Sequence, residues 1–296
     1  MTTLKINIIG AGKLGKTIAR LLVINKVGII EGVCNRSLES SNTAVQFIGQ
    51  GKAYATIADL PSADIVFITT SDDLIEQCAN ELSKSALLKP NTIVLHCSGT
   101  NSSSLLNLVK AKGCYVASVH PMRSFANPSI SVERYNGTFC AIEGDEKATV
   151  LLFDLFKKIG SIPFKLEGQK KALYHAAGVF ASNYLVAICE KALHCLREAG
   201  VNDEIATQIT LNLMSGTLQN LQSTLSTEKS LTGPIKRGDS NTISKHLEAF
   251  SDEALASLYK SLGLAIVGIA KLPRDKEDEL KALLSSDSAC SFKAKL

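Results

Sequence analysis

Apolar and polar positions along the first half of the chain predict short buried strands separated by helices. The runs KINII (5–9) and DIVFIT (64–69) are apolar, rich in β-branched residues and too short for helices, which is typical of strands covered on both faces. Similar runs occur at 29–34, 53–55, 92–97, 115–119, 139–142 and 162–166. Between them, helical spacing of apolar residues is found at 17–24, 40–48, 74–82, 103–110 and 147–158. This alternation predicts an α/β fold with a doubly wound, mostly parallel sheet.

The pattern changes at Glu167, after which no segment up to about Leu284 is typical of a strand. Helices are predicted at 168–199, 203–222, 242–249, 252–272 and 276–284, with a loop at 232–239. We therefore expect an α/β domain at residues 1–166, an all-helical domain at 167–286 and a tail at 287–296. The uncharged run 172–189 is long enough to span a membrane, but it contains His175 and Asn183, so we interpret it as a buried helix.

The first strand runs directly into a glycine motif, GAGKLG, at residues 10–15. Gly10 permits a tight turn, Gly12 lets the backbone approach a pyrophosphate, and Gly15 lets the next helix pack closely on the strand. Lys13 and Leu14 complete the motif at the start of that helix, whose free amides attract phosphate. A strand, this motif and a helix in succession indicate a dinucleotide-binding (Rossmann) domain rather than a glycine-rich surface turn.

The end of the second strand carries Asn35, Arg36 and Ser37, where an NAD site usually has an acidic residue. A guanidinium beside a small hydroxyl suits a 2′-phosphate because it offers charge and several donors at once. The sequence therefore favours NADP as the cofactor. The alternative is that Arg36 is a solvated loop residue.

Two further strand ends carry small polar residues. Thr70, Ser71 and Asp72 follow the strand at 64–69, and Ser98 and Gly99 follow the strand at 92–97. Ligands bind at the carboxyl ends of strands in open α/β sheets, so we expect these residues near the cofactor, the second pair near its nicotinamide. Capping of the next helix is an equally good explanation for the first three.

Two histidines are candidates for proton transfer. His120 ends the strand at 115–119, and its usual pKa lies near neutrality, as general acid–base catalysis requires. His175 shares a face of the long helix with Lys171, Gly178 and Ser182, with Asn183 at its margin. The alternatives are a turn histidine bonded to backbone and a satisfied core histidine beside a structural asparagine.

The loop at 232–239 and the helix after it form a second polar cluster. Arg237, Thr242 and His246 lie close in sequence and could hold an anionic or carbonyl substrate. Asp239 is equally well placed to cap the helix, and Arg237 could simply be solvated.

Composition narrows the classes of function. The net charge of +4 comes without a long run of Lys and Arg, which excludes nucleic-acid binding as the first hypothesis. The eight cysteines include no CxxC pair and lie mostly in apolar segments, which is typical of reduced core residues in a cytoplasmic protein. The five histidines are scattered, so we predict no metal site. A strand beginning at Lys5 leaves no room for a signal peptide.

The segments HAAGVFASNYL (175–185) and TGPIKRGDSNTISKHL (232–247), with HPM at 120–122, resemble the signatures of a bacterial family. Its members combine an N-terminal Rossmann-like domain with a C-terminal helical domain of unknown function. The family is similar in plan to pyrroline-5-carboxylate reductase, the β-hydroxyacid dehydrogenases and 6-phosphogluconate dehydrogenase. The resemblance implies NADP-linked oxidoreduction by a dimer built from the helical domains. The composition and the polar residues of the run 172–189 predict partners other than nucleic acid and membrane, namely a small-molecule substrate.

The chain departs from this plan at one position. The β-hydroxyacid dehydrogenases use a Lys four residues before an Asn on the corresponding helix, and if Asn183 is that Asn, the position is Val179. Their mechanism therefore cannot be carried over, and His175 is the nearest replacement. We expect an NADP-dependent oxidoreductase acting on a small anionic metabolite, with His120 or His175 handling the proton and Asn183, Arg237 and Thr242 orienting the substrate. The alternative is a non-catalytic NADP(H) sensor or assembly protein.

Overall fold

The computed structural model describes residues 3–286, so the predicted tail lies outside the described residues. Its eight strands form one sheet. They are β1 (Leu4–Ile9), β2 (Gly28–Cys34), β3 (Lys52–Tyr54), β4 (Ile65–Ile68), β5 (Ile93–His96), β6 (Tyr115–Pro121), β7 (Phe139–Gly144) and β8 (Ile162–Lys165). Every strand predicted from the sequence is present, with ends that differ by a few residues.

The strand order is β3-β2-β1-β4-β5-β6-β7-β8, and every neighbouring pair is parallel except β6 and β7. The mostly parallel sheet is thus confirmed. Successive strands run outward from β1 in one direction and from β4 in the other, so the order reverses between these two. Such a reversal opens a crevice at the carboxyl ends of the strands, where open α/β sheets bind ligands.

Helices cover both faces of the sheet, and two apolar clusters pack beneath them. The helices are α1 (Lys13–Ile24), α2 (Leu38–Ile48), α3 (Ile75–Lys84), α4 (Asn107–Lys110), α5 (Pro128–Glu133) and α6 (Glu146–Lys158). The short helix α5 was not predicted, because six residues cannot show a helical period. Its start follows local rules all the same, since Asn127 caps it and Pro128 occupies its first turn.

The predicted long helix is interrupted. A 3₁₀ turn at Gly168–Lys170 leads into α7 (Lys171–Gly178), a π-helical segment covers Val179–Asn183, and α8 (Tyr184–Glu198) follows. The interpretation of 172–189 as a buried helix is wrong for the single chain: Leu173, Phe180 and Val186 are 78%, 70% and 71% exposed. The segment is apolar around most of its circumference, and one chain covers only part of it.

Contacts divide the chain into two compact units, one extending to Tyr184 and one from Leu185 onwards. The second unit contains most of α8 and six further helices. These are α9 (Asp203–Thr224), α10 (Thr227–Ser230), α11 (Pro234–Arg237), α12 (Ser240–Ala249), α13 (Glu253–Ala270) and α14 (Arg274–Ser285). Its core includes Ile243, Val267 and Leu280. The prediction of a loop over 232–239 is wrong in part, because Pro234 and Ile235 begin the single turn α11 between Gly233 and Gly238.

Two helices in the described residues are long and apolar enough to cross a membrane by length and composition alone, the interrupted helix over 168–198 and α13. Core and interface helices of soluble proteins pass the same test, so this observation is weak evidence for a membrane span.

Candidate functional site

The glycine loop connects β1 to α1 where the strand order reverses. Gly10 has a φ of 82°, and a Cβ on it would lie 2.4 Å from the Thr70 methyl group, so the position requires glycine. A Cβ on Gly15 would lie 2.3 Å from Thr69 Oγ1. Gly12 differs, because a Cβ there would meet only the Gly10 carbonyl oxygen, at 3.9 Å. Nothing in the described chain requires this glycine, and the open space beside it fits an approaching dinucleotide.

The N-terminus of α1 presents amide groups beside this loop. Gly12 occupies the N-cap position and has no side chain with which to cap the helix. The first backbone hydrogen bond runs from Lys16 N to Gly12 O at 3.0 Å, so the amides of Lys13, Leu14 and Gly15 precede it. Such amides, together with the helix dipole, favour a bound anion. The loop and helix therefore fit a pyrophosphate.

The three residues after β2 have different tasks. Asn35 Oδ1 accepts from Ala11 N at 2.6 Å, and its amide nitrogen donates to Ser40 O at 2.9 Å, so its side chain is used within the protein. Ser37 caps α2 by accepting from Ser40 N at 3.2 Å. Arg36 is exposed, and no acidic side chain among residues 3–286 pairs with it. Asn35 thus orders the loop, and Arg36 is the cation available to a ligand.

Asp72 binds the loop after β5 and does not cap a helix. Its Oδ2 accepts from Ser98 Oγ at 2.8 Å and from Thr100 Oγ1 at 3.1 Å. The 3₁₀ turn Asp72–Leu74 and α3 after it both begin without a side-chain cap, so the capping alternative for Thr70, Ser71 and Asp72 is wrong. The structure brings Asp72 and Ser98 together, as expected for residues at the ends of neighbouring strands.

His96, which was not predicted as a site residue, orders the loop after β5 that contains Ser98. Its Nδ1 accepts from Ser98 N at 3.2 Å, and its Nε2 lies 3.0 Å from the Ser102 carbonyl oxygen. Because a carbonyl can only accept, Nε2 carries the proton and the ring is the neutral tautomer. Complete burial lowers the pKa of His96 to about 4, against a smaller opposing effect of the Ser102 carbonyl. The only sequence signal was a polar residue within an apolar strand.

His120 and His175 come together beside Gly99. Their rings lie edge to face with centroids 5.5 Å apart. A Cβ on Gly99 would lie 2.3 Å from His175 Nδ1 and 2.9 Å from His120 Nε2, so both nitrogens converge on this glycine. Burial first, and then the charges of Lys171 and His175, lower the pKa of His120 to about 4, while Asp72 acts in the opposite direction. His120 is therefore neutral at physiological pH and able to accept a proton.

Tyr174 supports the pair from α7. Its hydroxyl lies 3.4 Å from His120 Nδ1 and donates to the His120 carbonyl oxygen at the same distance. The two rings are perpendicular, with centroids 5.6 Å apart. Burial raises the pKa of Tyr174 to about 12, so the phenol keeps its proton. Because its one proton goes to the carbonyl, the Tyr174 oxygen can orient His120 by accepting from Nδ1–H, which leaves Nε2 as the free acceptor of the ring beside Gly99.

The helix face predicted for His175 is confirmed only up to the π segment. Lys171 and His175 both reach the sheet edge. Gly178 faces Met122, since a Cβ on this glycine would lie 3.6 Å from the Met122 side chain. The π segment adds a residue to the turn, which ends the 100° periodicity on which the prediction depended. Ser182 and Asn183 consequently lie exposed on the surface of the described unit.

The second polar cluster lies wholly within the second unit. Asp239 caps α12 by accepting from Thr242 N at 3.0 Å and Thr242 Oγ1 at 2.7 Å, and these bonds lower the pKa of Asp239. His246 Nδ1 is 2.8 Å from the Tyr259 hydroxyl. Arg237 is exposed at the end of α11. The structural alternative for Asp239 is thus confirmed, and the roles of Arg237 and Thr242 toward a substrate stay predictions.

The histidine pair is not part of a recognisable metal centre. Among residues 3–286, no three His, Cys, Asp or Glu side chains are grouped to hold a metal ion. The seven cysteines in that range are all free thiols, and burial raises the pKa of Cys97 to about 12, so it stays protonated.

Two protein-family models match successive parts of the chain. Residues 1–121 match the Rossmann-like domain family, and residues 138–266 match a family described as a domain of unknown function, DUF2520. The chain therefore combines a Rossmann-like domain with this C-terminal domain, as the sequence motifs implied. No curated protein matches the chain.

Solved structures share the fold over most of the chain. Protein TM1727 from Thermotoga maritima is 27% identical, with 90% of this chain and 98% of that chain covered and a TM-score of 0.70. BF3122 from Bacteroides fragilis, assigned as an NADP oxidoreductase, is 20% identical, with coverage of 89% and 98% and a TM-score of 0.72. A pyrroline carboxylate reductase from Plasmodium falciparum, solved with NADP bound, is 14% identical, with coverage of 96% and 100% and a TM-score of 0.56.

Proposed function

We propose that this protein is an NADP-dependent oxidoreductase that transfers a hydride to or from a small anionic metabolite. The observation that carries the proposal is the convergence of His120 and His175 on Gly99, at the carboxyl end of β5. That edge of the sheet also carries the glycine loop, two strands away. A proton-transfer pair and an anion-binding helix terminus on one edge are the two parts that hydride transfer with a nicotinamide requires.

The residues for the cofactor follow from the geometry of the loop. The amides of Lys13, Leu14 and Gly15 would hold the pyrophosphate, and Gly12 leaves room for it. Arg36 would bind the 2′-phosphate, while Ser98 and Gly99 would border the nicotinamide. When bound, NADP(H) supplies or accepts the hydride, and the protein contributes orientation and a path for the proton.

Proton transfer would be performed by the histidine pair. A neutral His120, held by Tyr174, can accept a proton from a substrate hydroxyl or pass one through His175. We propose that Asn183, Arg237 and Thr242 orient the substrate, with the Arg237 guanidinium binding its anionic group. The NADP-linked relatives among the solved structures support the reaction class, since they share this fold.

We further propose that the protein acts as a homodimer formed through its helical part. Three apolar side chains of the second unit are largely exposed in the single chain: Val186, Leu211 and Leu213, at 71%, 53% and 69%. An apolar groove of about 390 Å³ in the same unit is lined by residues that include Ile188, Phe250 and Leu262. Exposed apolar surface of this extent is typical of a protein interface, and a second copy would cover it. The free thiols of this chain favour a reducing compartment, so we place the dimer in the cytoplasm.

The first experiment is a titration of the purified protein with NADPH and with NADH, followed by the fluorescence of the reduced nicotinamide. The chain has no Trp, which keeps the protein background low. Loss of the charged bonds to the 2′-phosphate in Arg36→Ala should weaken NADPH binding about 10- to 100-fold and leave NADH binding unchanged. Arg274→Ala, at an exposed arginine in α14, is the matched control.

Two outcomes would count against the proposed enzyme. Binding of neither nucleotide would contradict the proposal and the sensor alternative together. Binding of NADPH that changes the oligomeric state, with no turnover of any carbonyl, imine or hydroxy acid substrate, would favour the sensor.

A further inference from the structure

Lys171 is buried in a way that calls for an explanation. It is the only Lys, Arg, Asp or Glu among the described residues that is fully buried, with 0% of its surface exposed. No carboxylate touches it: the two nearest acceptors of its ammonium are the Ser98 carbonyl oxygen at 2.9 Å and Ser118 Oγ at 2.7 Å. Burying a charge that only neutral groups bind costs several kcal/mol, roughly. Met would fill the same space without that cost.

The nearby acids are occupied elsewhere. Glu143 accepts from Ser103 N at 2.7 Å and from Ser103 Oγ at 2.8 Å. Asp72 is bound to the hydroxyls after β5, as described above. Both carboxylates favour the charged form of Lys171 from a distance, while burial lowers its pKa.

The two acceptors belong to the segments that carry the site. Ser98 precedes Gly99, against which both histidines rest, and Ser118 lies two positions before His120 on the same face of β6. Tyr174 and His175 follow Lys171 within one turn of α7. One ammonium therefore connects the end of β5, strand β6 and helix α7.

We propose that Lys171 is a positioning residue for the His120–His175 pair, holding the Ser98–Gly99 turn and β6 in place and supplying a fixed positive charge beside the two rings. The catalytic importance of Lys171 rests on the proposed function, whereas the effect of its charge on His120 can be measured whether or not that function is correct. Lys171 is closed off from solvent, and its ammonium donates to Ser98 and Ser118, so it acts through the residues that it binds.

The charge environment of His120 agrees with this role. The groups that face it are Lys171, Tyr174 and His175 on α7 and Asp72 before α3. After burial, Lys171 is the largest cause of the lowered pKa of His120, and it also lowers the pKa of His96 on β5. Removal of this charge should therefore let both rings bind protons more readily.

The test is a histidine NMR titration of Lys171→Met, with no nucleotide or substrate present. We expect the pKa of His120 to rise by about one unit, because a like charge that acts on its ring has gone. The matched control is Lys170→Met, since the neighbouring Lys170 is exposed and pairs with Glu167 at 2.9 Å. An unchanged His120 titration in folded Lys171→Met would overturn the proposal, as would an equal shift in Lys170→Met.

A second variant covers the case in which Lys171→Met does not fold. Ser118→Ala removes one acceptor and only one small buried group. We expect the pKa of Lys171, followed through its ε-carbon resonance, to fall further and the Gly99 amide resonance to move. If neither changes, the ammonium does not hold the turn. Failure of NADPH binding would contradict the proposed function while leaving these titrations as they are, so the two failures are distinguishable.

Discussion

His175 Nδ1 and His120 Nε2 approach the same side of Gly99, on which a Cβ would lie 2.3 Å from the first and 2.9 Å from the second. One ring comes from a helix and the other from a strand, and only a residue without a side chain leaves both in place. This relationship joins three segments that are far apart in sequence. It also gives the candidate site its simplest tests.

The histidine pair should be needed for turnover but not for cofactor binding. His120→Gln and His175→Gln should each lower kcat about 10²- to 10⁴-fold, the usual contribution of a general acid or base. The Kd for NADPH should change less than about twofold, since neither ring is placed to bind its phosphates. Steady-state kinetics and fluorescence titration measure the two quantities. His194→Gln is the control, because that ring lies on α8 in the second unit, 3.9 Å from Glu198. Normal turnover in both test variants would remove the pair from the mechanism.

Two glycines of the same loop should respond differently to alanine. Gly10→Ala should cost about 2–4 kcal/mol of unfolding free energy, from its positive φ and the clash with Thr70. Gly12→Ala should leave stability within about 1 kcal/mol of the original, because its Cβ meets open space. It should nevertheless weaken NADPH binding about tenfold or more, since that space is where we place the pyrophosphate. Urea unfolding and nucleotide titration compare the variants, and unimpaired binding in Gly12→Ala would place the nucleotide elsewhere.

Stability should fall in mild acid because of the buried histidines. The pKa of His96 is about 4 in the folded protein and about 6.5 in an unfolded chain, so between these values the unfolded state binds more protons. Stability is therefore fully present above pH 6.5 and is lost as the pH falls toward 4. The loss from His96 is about 3 kcal/mol. Urea unfolding at a series of pH values measures it, and His96→Gln should flatten the slope; an equally steep slope in that variant would assign the effect to other groups.

A charge on the exposed apolar surface of the second unit should separate a dimer into monomers. Leu213→Asp places a carboxylate at a side chain that is 69% exposed in the single chain, so folding should be little affected. In an interface the same charge is desolvated and weakens association by several kcal/mol, roughly. Sedimentation velocity measures the change. The control is Glu204→Asp at the exposed start of α9, and a monomeric original protein would contradict the dimer outright.

Residues 5–9 show why the first half of the fold was predictable. A β-branched run directly before GAGKLG allows few other structures, and the sheet places that motif at its reversal, as expected. The meeting of His120 with His175 was not predictable, because it depends on how α7 packs on β6, which no local pattern encodes. The π segment was not predictable either: residues 179–183 contain neither Gly nor Pro, so no local signal marks the extra residue.

Asn35 and His96 show the limit for single side chains. The position of Asn35 at a strand end indicates a ligand contact, which stays a prediction, but no pattern showed that its amide bonds to Ala11 and Ser40. His96 was passed over as a strand residue, although its two ring nitrogens order the loop that contains Ser98. In both cases the role depends on hydrogen-bond partners that are distant or separated by a turn.

The contacts of Lys171 also set an order of events during synthesis. Its partners Ser98 and Ser118 leave the ribosome more than fifty residues earlier, and all strands of the sheet precede it. All strands are therefore available to pair before α7 is, and the polar groups at the sheet edge gain their ammonium partner only when α7 arrives. The sheet edge that holds His120 would then stay solvated until the first turn of α7 arrives. Binding competence and the burial of a charge would be acquired together, as one late step of folding.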